Sequence, residues 1–236
     1  MFMMVAGLCS VIWSLTYLRA LVEFASALQM SQFRGQPASM NINYQLFLQH
    51  ISMAHIVFIF IIPAITMRLI SEEKRLRTYD LLLTSPVTAT EIAVGKYFGG
   101  LLAVLVLVLL SFLYPLATGL LAEFSWSTLL TAYLGLIIVS GLYVAVGVFA
   151  SSLTESLMLS LILGLLFNLT LWFVGAAQES VDNSMLAAFF EHITIGQQFF
   201  NFLKGTIRLS SAVFFLSAIV FFVFLSQRVV ESSRWR

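Results

Sequence analysis

"YFGGLLAVLVLVLLSFLYPLATGLL", Tyr97 to Leu121, decides the fold class: it runs 25 residues without one charged side chain. A helix rises about 1.5 Å per residue and a bilayer core is about 30 Å thick, so about 20 such residues cross it. The run is continuously apolar instead of alternating, which fits a membrane helix and not a barrel strand. Working outward, five more stretches meet the same criterion, near Phe2–Val22, Ile51–Met67, Leu129–Phe149, Leu157–Ala177 and Leu209–Gln227. The whole chain agrees. It is 60% apolar and 10% charged, with a mean hydropathy of +0.99, where soluble domains carry roughly 25% charge. The expected fold is therefore an all-α integral membrane protein, one transmembrane domain over residues 1–236 with six spans.

The balance of charge excludes other classes. A net charge of +1 gives no basic face for nucleic acid. The single cysteine, Cys9, allows neither an internal disulfide nor a cysteine metal cluster, and it reads as a packed or lipid-facing small residue. Ala6-Gly7-Leu8-Cys9 has a bulky Leu where a lipoprotein cleavage site needs a small residue. The N-terminus also lacks the basic n-region of a signal peptide.

Charge gathers just before Tyr97. Ile70–Lys96 holds eight charged residues of a chain with only 12 basic and 11 acidic ones. Within it, Leu76, Tyr79 and Leu83 are spaced i, i+3 and i+7, one face of a continuous helix. Lys74, Arg77 and Thr78 fall on another face. Pro86 ends that helix, because proline has no N–H and drives the preceding residue out of the α region. Thr88-Ala89-Thr90-Glu91 then matches a capping box, so a new helix starts near Ala89 and enters the third span. A plain interfacial helix at lipid phosphates would read the same way, but a helix tied at both ends to spans also suits docking.

Lys and Arg set the orientation. Arg68, Lys74, Arg75, Arg77 and Lys96 join Arg228, Arg234 and Arg236 on one side of a six-span plan. Arg34 and Lys204 lie on the other, with Arg19 and Arg208 near its boundary. This places the charged segment and both termini in the cytoplasm. Of the outer connections, Glu23–His50 is polar, with Pro37 and Asn41 as turn signals. Gln178–Ile207 mixes aromatics, Phe189 and Phe190 among them, with polar residues, the pattern of short amphipathic helices at the interface.

"SEEKRLRTYDLLLTSPVTATEIAVGKY", Ser71–Tyr97, resembles the segment after the second span of ABC-2 type exporter permeases, and is most similar to the gliding-motility (GldF-like) branch. Glu72, Glu73, Lys74, Arg75, Thr78, Leu81, Leu82, Leu83, Thr84, Pro86 and Val87 match the family pattern, as do Ile92, Gly95 and Lys96. "IFIIPAITMRLISEEK" and "GLYVAVGVFASSLTES" are similar to its second and fourth spans. Arg77 stands where the family usually has Gly, which favours a continuous helix there over a tight turn. Asp80 replaces a Glu and keeps the charge. Family members usually begin with a charged amphipathic helix, whereas this sequence begins inside the first span.

The resemblance implies a coupling segment over residues 71–92 that docks an ATP-binding subunit through Glu72, Glu73, Arg75, Arg77, Thr78, Tyr79, Asp80, Leu82, Leu83 and Pro86. ATP and Mg would bind the partner, in keeping with the lack of a G-x-x-x-x-G-K-[ST] loop here. It also implies a second permease copy or homologous permease, a bacterial inner membrane and export of cargo, and it leaves room for an outer-side accessory protein. A membrane anchor of an ATPase-driven motility or secretion machine is the alternative.

An enzyme reading has one foothold. Glu72 to Arg77 spells E-E-x-x-x-R, the first motif of CAAX-type intramembrane proteases, but the later Phe-x-x-x-His and His-x-x-x-Asn are missing. His50 and His55 are five apart and share no helical face well, which suits hydrogen bonding better than a metal. Asn168, mid-span, reads as an interhelical hydrogen bond or, with Phe189 and Phe190, as a substrate-path residue. Arg19 and Glu23 are spaced to pair. Gly95, Gly99, Gly100 and Gly141 with Ala145 read as close-packing positions. No loop carries a charge cluster that names a cargo, although the apolar surface suits an amphipathic one.

Overall fold

The computed structural model describes residues 2–33, 42–84, 86–120, 122, 124–178 and 194–233. The chain forms α1 (Phe2–Phe33), a π-helical turn (Asn43–Phe47) leading into α2 (Leu48–Thr66), α3 (Ser71–Arg75), α4 (Tyr79–Thr84) and α5 (Ala89–Gly119). Then follow α6 (Trp126–Leu153), α7 (Leu157–Gln178), α8 (Ile195–Leu203) and α9 (Leu209–Ser232). Among these residues, six helices are long and apolar enough to cross a membrane, one at each expected span.

Among the spans, the first one departs most from its expected end. α1 continues to Phe33, where a connection was expected from Glu23. Residues 23–33 hold no Gly or Pro, so nothing stops the helix before Gly35 and Pro37. At 32 residues α1 is about 48 Å long and overshoots a core of about 30 Å. Its Arg19 and Glu23 pair at 2.9 Å, as their spacing predicts.

α6 is the hub. It packs against α2, α5, α7, α8 and α9, and its second half, from Val139 to Ser152, is enclosed around nearly its whole circumference. That requires an all-apolar helix with small residues wherever a neighbour comes close. A Cβ on Gly147 would lie 2.8 Å from the Cβ of Thr66 in α2, and one on Gly135 would overlap Phe202 of α8. Gly100 and Gly141 also pack closely, but Gly95 and Gly99 face open space, so close packing within the chain does not account for them. Among the described residues α1 rests chiefly on α2, α5 and the π-helical turn. The outward faces of α1, α5, α7 and α9 keep large apolar side chains exposed, Leu109, Leu166 and Val220 among them. Such a belt is a lipid-facing surface.

α8 dips into the bundle, in line with the amphipathic outer segment expected there. Ile195, Gln198, Phe199, Phe202 and Leu203 are buried at i, i+3, i+4, i+7 and i+8. Gly205, at φ +79°, closes the helix. Its N–H reaches Phe202 O at 3.0 Å while Thr206 N–H reaches Asn201 O at 3.1 Å, a Schellman end. Residues 34–41 and 179–193, Pro37, Asn41, Phe189 and Phe190 included, lie outside the described residues, as do Arg234 and Arg236 of the tail.

Candidate functional site: the charged turn between the second and third spans

α3 begins where α2 runs out, at Ser71. Its first amides have no partner within the helix and no side-chain cap on Ile70. The cap comes from another span. Ser151 Oγ, at the end of α6, accepts from Ile70 N–H at 3.1 Å and Ser71 N–H at 3.0 Å, and donates to Met67 O at 3.1 Å. One turn on, Lys74 Nζ donates to Ser152 O at 2.6 Å and lies 5.1 Å from the centre of the Tyr79 ring. A cation on the last carbonyls of α6 also complements its dipole. Glu73 pairs with Lys96 of α5, and Glu72 lies 3.9 Å from Arg68 and 4.0 Å from Arg75. The segment is thus fastened to α5 and α6 as well as continuous with α2.

The helix does not continue through Arg77, contrary to the expectation for that substitution. Arg77 adopts φ +56°. Its N–H bonds Lys74 O at 3.1 Å and Thr78 N–H bonds Glu73 O at 3.0 Å. This is the same Schellman end that closes α8, with arginine where α8 has glycine. A non-glycine residue there costs on the order of 1 kcal/mol. The two hydrogen bonds, with the fastening of α3 on one side and buried Tyr79 on the other, hold it in place.

The break also overturns the shared face of Leu76, Tyr79 and Leu83. Tyr79 is buried, whereas Leu76 is 61% exposed. The Leu83 side chain lies outside the described residues. Leu82 is half-buried against the core, and Leu81, the next residue back, is 72% exposed. The outward surface is therefore Leu76, Arg77, Thr78, Asp80 and Leu81, continued by Thr84 and Pro86. Behind it a cleft of about 1030 Å³ opens, lined by Lys74, Arg77, Tyr79, Asp80, Glu155 and Ser233. Arg77 and Asp80 make no ion pair among the described residues.

After Pro86 the capping box forms as its sequence predicts. Thr88 Oγ1 accepts from Glu91 N–H at 3.2 Å, and Thr88 N–H donates to Glu91 Oε2 at 2.8 Å. α5 starts at Ala89.

The remaining candidates are buried and structural in their contacts. Both prolines inside spans remove a helical N–H and so leave a carbonyl open four residues back. Pro115 frees Ser111 O, which accepts from His50 Nε2 of α2 at 3.2 Å and from Tyr133 OH of α6 at 3.1 Å. Pro63 frees Ile59 O, and Asn168 Nδ2 of α7 donates to it at 3.5 Å. His55 Nε2 meets Tyr143 OH at 2.8 Å. The histidines thus serve different partners, as their spacing suggests. In lipid, an unpaired carbonyl costs several kcal/mol, so these side chains complete the backbone. Ser151 and the proline-facing roles of His50 and Asn168 escaped the sequence reading. The usable signal was a mid-span proline together with polar residues on other spans.

A family model described as ABC-2 family transporter protein matches residues 9–175 of the chain. The chain belongs to the ABC-2 transporter family. The match takes in the first five spans and the whole charged turn. No curated protein matches the chain. The family is one of multi-pass permeases, typically non-catalytic membrane subunits. In this permease the E-E-x-x-x-R glutamates lie in ion pairs, Glu72 with Arg68 and Arg75 and Glu73 with Lys96. Among the described residues no cluster of three His, Cys, Asp or Glu is placed to hold a metal ion.

Proposed function

We propose that the turn over residues 71–92 is the coupling element of an ABC exporter permease, and that it docks an ATP-binding partner on the cytoplasmic side. The observation that carries this is the mounting. The turn is fastened to α6 by Ser151 and Lys74 and to α5 by Glu73, yet it projects Leu76, Arg77, Asp80 and Leu81 outward. A protruding, partly apolar knob on a rigid base transmits force from a partner into several spans at once.

ATP and Mg would sit on that partner, and two permeases, identical or mixed, would complete the unit. Nucleotide-driven closure of the partners would move the knob and rearrange spans one, two and five. In this reading the protein sits in a bacterial inner membrane, and the basic residues of the turn support a cytoplasmic turn and cytoplasmic termini under the positive-inside rule. The cargo would be amphipathic and leave the cytoplasm or inner leaflet. The gliding-motility branch is the nearest reading of the turn's own sequence. The docking contacts are Leu76 and Leu81, with Arg77 and Asp80 as rim charges that set register more than affinity.

The test is co-purification. Leu81→Glu should abolish recovery of the ATP-binding partner while the permease still inserts and purifies. Partner recovery and ATPase cycling at the unmodified level would refute the docking assignment.

A further inference from the structure

The cleft behind the charged turn opens where several spans end. Its walls are Lys74, Arg77 and Asp80 from the turn, Glu155 from the connection between α6 and α7, and Ser233 just after α9. A polar cleft at the ends of spans lies at the level of the lipid headgroups. Both signs of charge face it. Lys74, Arg77, Asp80 and Glu155 make no ion pair among the described residues, whereas Arg75, on the same wall, already lies 4.0 Å from Glu72. Lys74 is fixed by Ser152 O at 2.6 Å and by the face of Tyr79, contacts that orient its ammonium without neutralising it. A ligand of one sign would be drawn to two of these four groups and repelled by the other two. A zwitterion complements both sets.

The cleft also leads into the membrane. Leu153, at the end of α6, lines it and is 44% exposed. One turn deeper stands Phe149, the one residue between Val139 and Ser152 that is not buried. Its ring centre lies 5.9 Å from that of Phe167 on α7 and 6.0 Å from that of Phe222 on α9. Among the described residues α7 and α9 each pack closely on α6 but not on each other. An apolar furrow thus runs between α7 and α9 with Phe149 on its floor. Left empty it would forfeit dispersion contacts along its whole length, which a lipid chain supplies.

We propose that cleft and furrow form one binding site for a phospholipid whose headgroup carries a primary ammonium beyond its phosphate. The phosphate lies on Lys74 and Arg77, the ammonium turns to Asp80 and Glu155, and one acyl chain follows the furrow over Phe149. The inference does not rest on the docking of an ATP-binding partner, because the site belongs to the permease alone.

The test is native mass spectrometry of the full chain without any partner, released from nanodiscs of equal parts dioleoyl phosphatidylethanolamine, phosphatidylglycerol and phosphatidylcholine. The ethanolamine lipid should be retained about fivefold over each of the others, the upper worth of one exposed ion pair. Arg77→Gln should lower retention of all three lipids about fivefold, since all carry the phosphate. Glu155→Gln should remove the preference for the ethanolamine lipid. Arg228→Gln, outside the cleft and paired with Glu231, should change neither retention nor preference. Glycerophosphoethanolamine, the same headgroup without chains, should not displace the lipid at equal concentration. Equal retention of the three lipids, a preference that survives Glu155→Gln, or an Arg228→Gln loss equal to that of Arg77→Gln overturns the site. Displacement by the chainless headgroup or by inorganic phosphate overturns it too, since the furrow would then hold nothing.

Discussion

Replacing Ser151 by alanine should release the charged turn from α6 without disturbing the spans. The serine hydroxyl is the trans cap of α3. It accepts two N–H groups, Ile70 at 3.1 Å and Ser71 at 3.0 Å, in a site where both serines are fully buried. Alanine removes the acceptor and leaves space too small and apolar for easy replacement. A buried donor stripped of its partner costs about 1 to 3 kcal/mol, and the lower figure for two donors gives about 2 kcal/mol. That agrees with the upper range for loss of a helix cap, about 0.5 to 2 kcal/mol. At 1.36 kcal/mol per decade, local opening of the turn should rise roughly 30-fold. Hydrogen–deuterium exchange of the full chain in nanodiscs reads this directly. Amides of residues 70–78 should exchange roughly 30-fold faster, while those of α6 before Phe149 stay protected. Ser152→Ala is the control, because Lys74 uses the Ser152 carbonyl and not its hydroxyl. A rise below about threefold in Ser151→Ala, or an equal rise in Ser152→Ala, would refute the trans-cap argument.

Arg77 offers a second test. Arg77→Gly should keep the Schellman turn and stabilise it by up to about 1 kcal/mol, whereas Arg77→Val, β-branched at φ +56°, should cost at least as much; thermal unfolding of the purified permease orders the three. Gly147 and Gly99 form a contrasting pair. Gly147→Ala drives a methyl into Thr66 and should cost about 1 to 3 kcal/mol of stability, while Gly99→Ala meets nothing within 4 Å and should cost nothing in the isolated subunit.

Much of this architecture was open to a reader of the sequence. Each span is a long apolar run, and the bilayer's demand for about 20 such residues is indifferent to context. The capping box at Thr88 and the stop at Pro86 are equally local, since each depends on residues within three or four positions. The turn at Arg77 was legible only as an anomaly. Local propensity argues against a positive φ for arginine, and what holds it there is bonding and packing from α3, α4 and α6. The face of Leu76 and Tyr79 was misjudged for the same reason, because helical periodicity holds only while the helix is unbroken.

The amino-acid sequence by itself determined that this chain has six runs long and apolar enough to cross a membrane, that eight of its charged residues gather between Ile70 and Lys96, and where that turn's second helix begins. Those properties follow from solvation and from short-range sterics. The tertiary structure alone decided which helix lies at the centre, which side of the turn faces outward, and which side chains close the carbonyls behind Pro63 and Pro115. Those depend on partners far apart in the chain: Ser151 is 80 residues from Ser71, and Asn168 is 109 from Ile59. No local rule links such pairs. In a medium without water every opened backbone group must find its partner inside the protein, and packing selects which one.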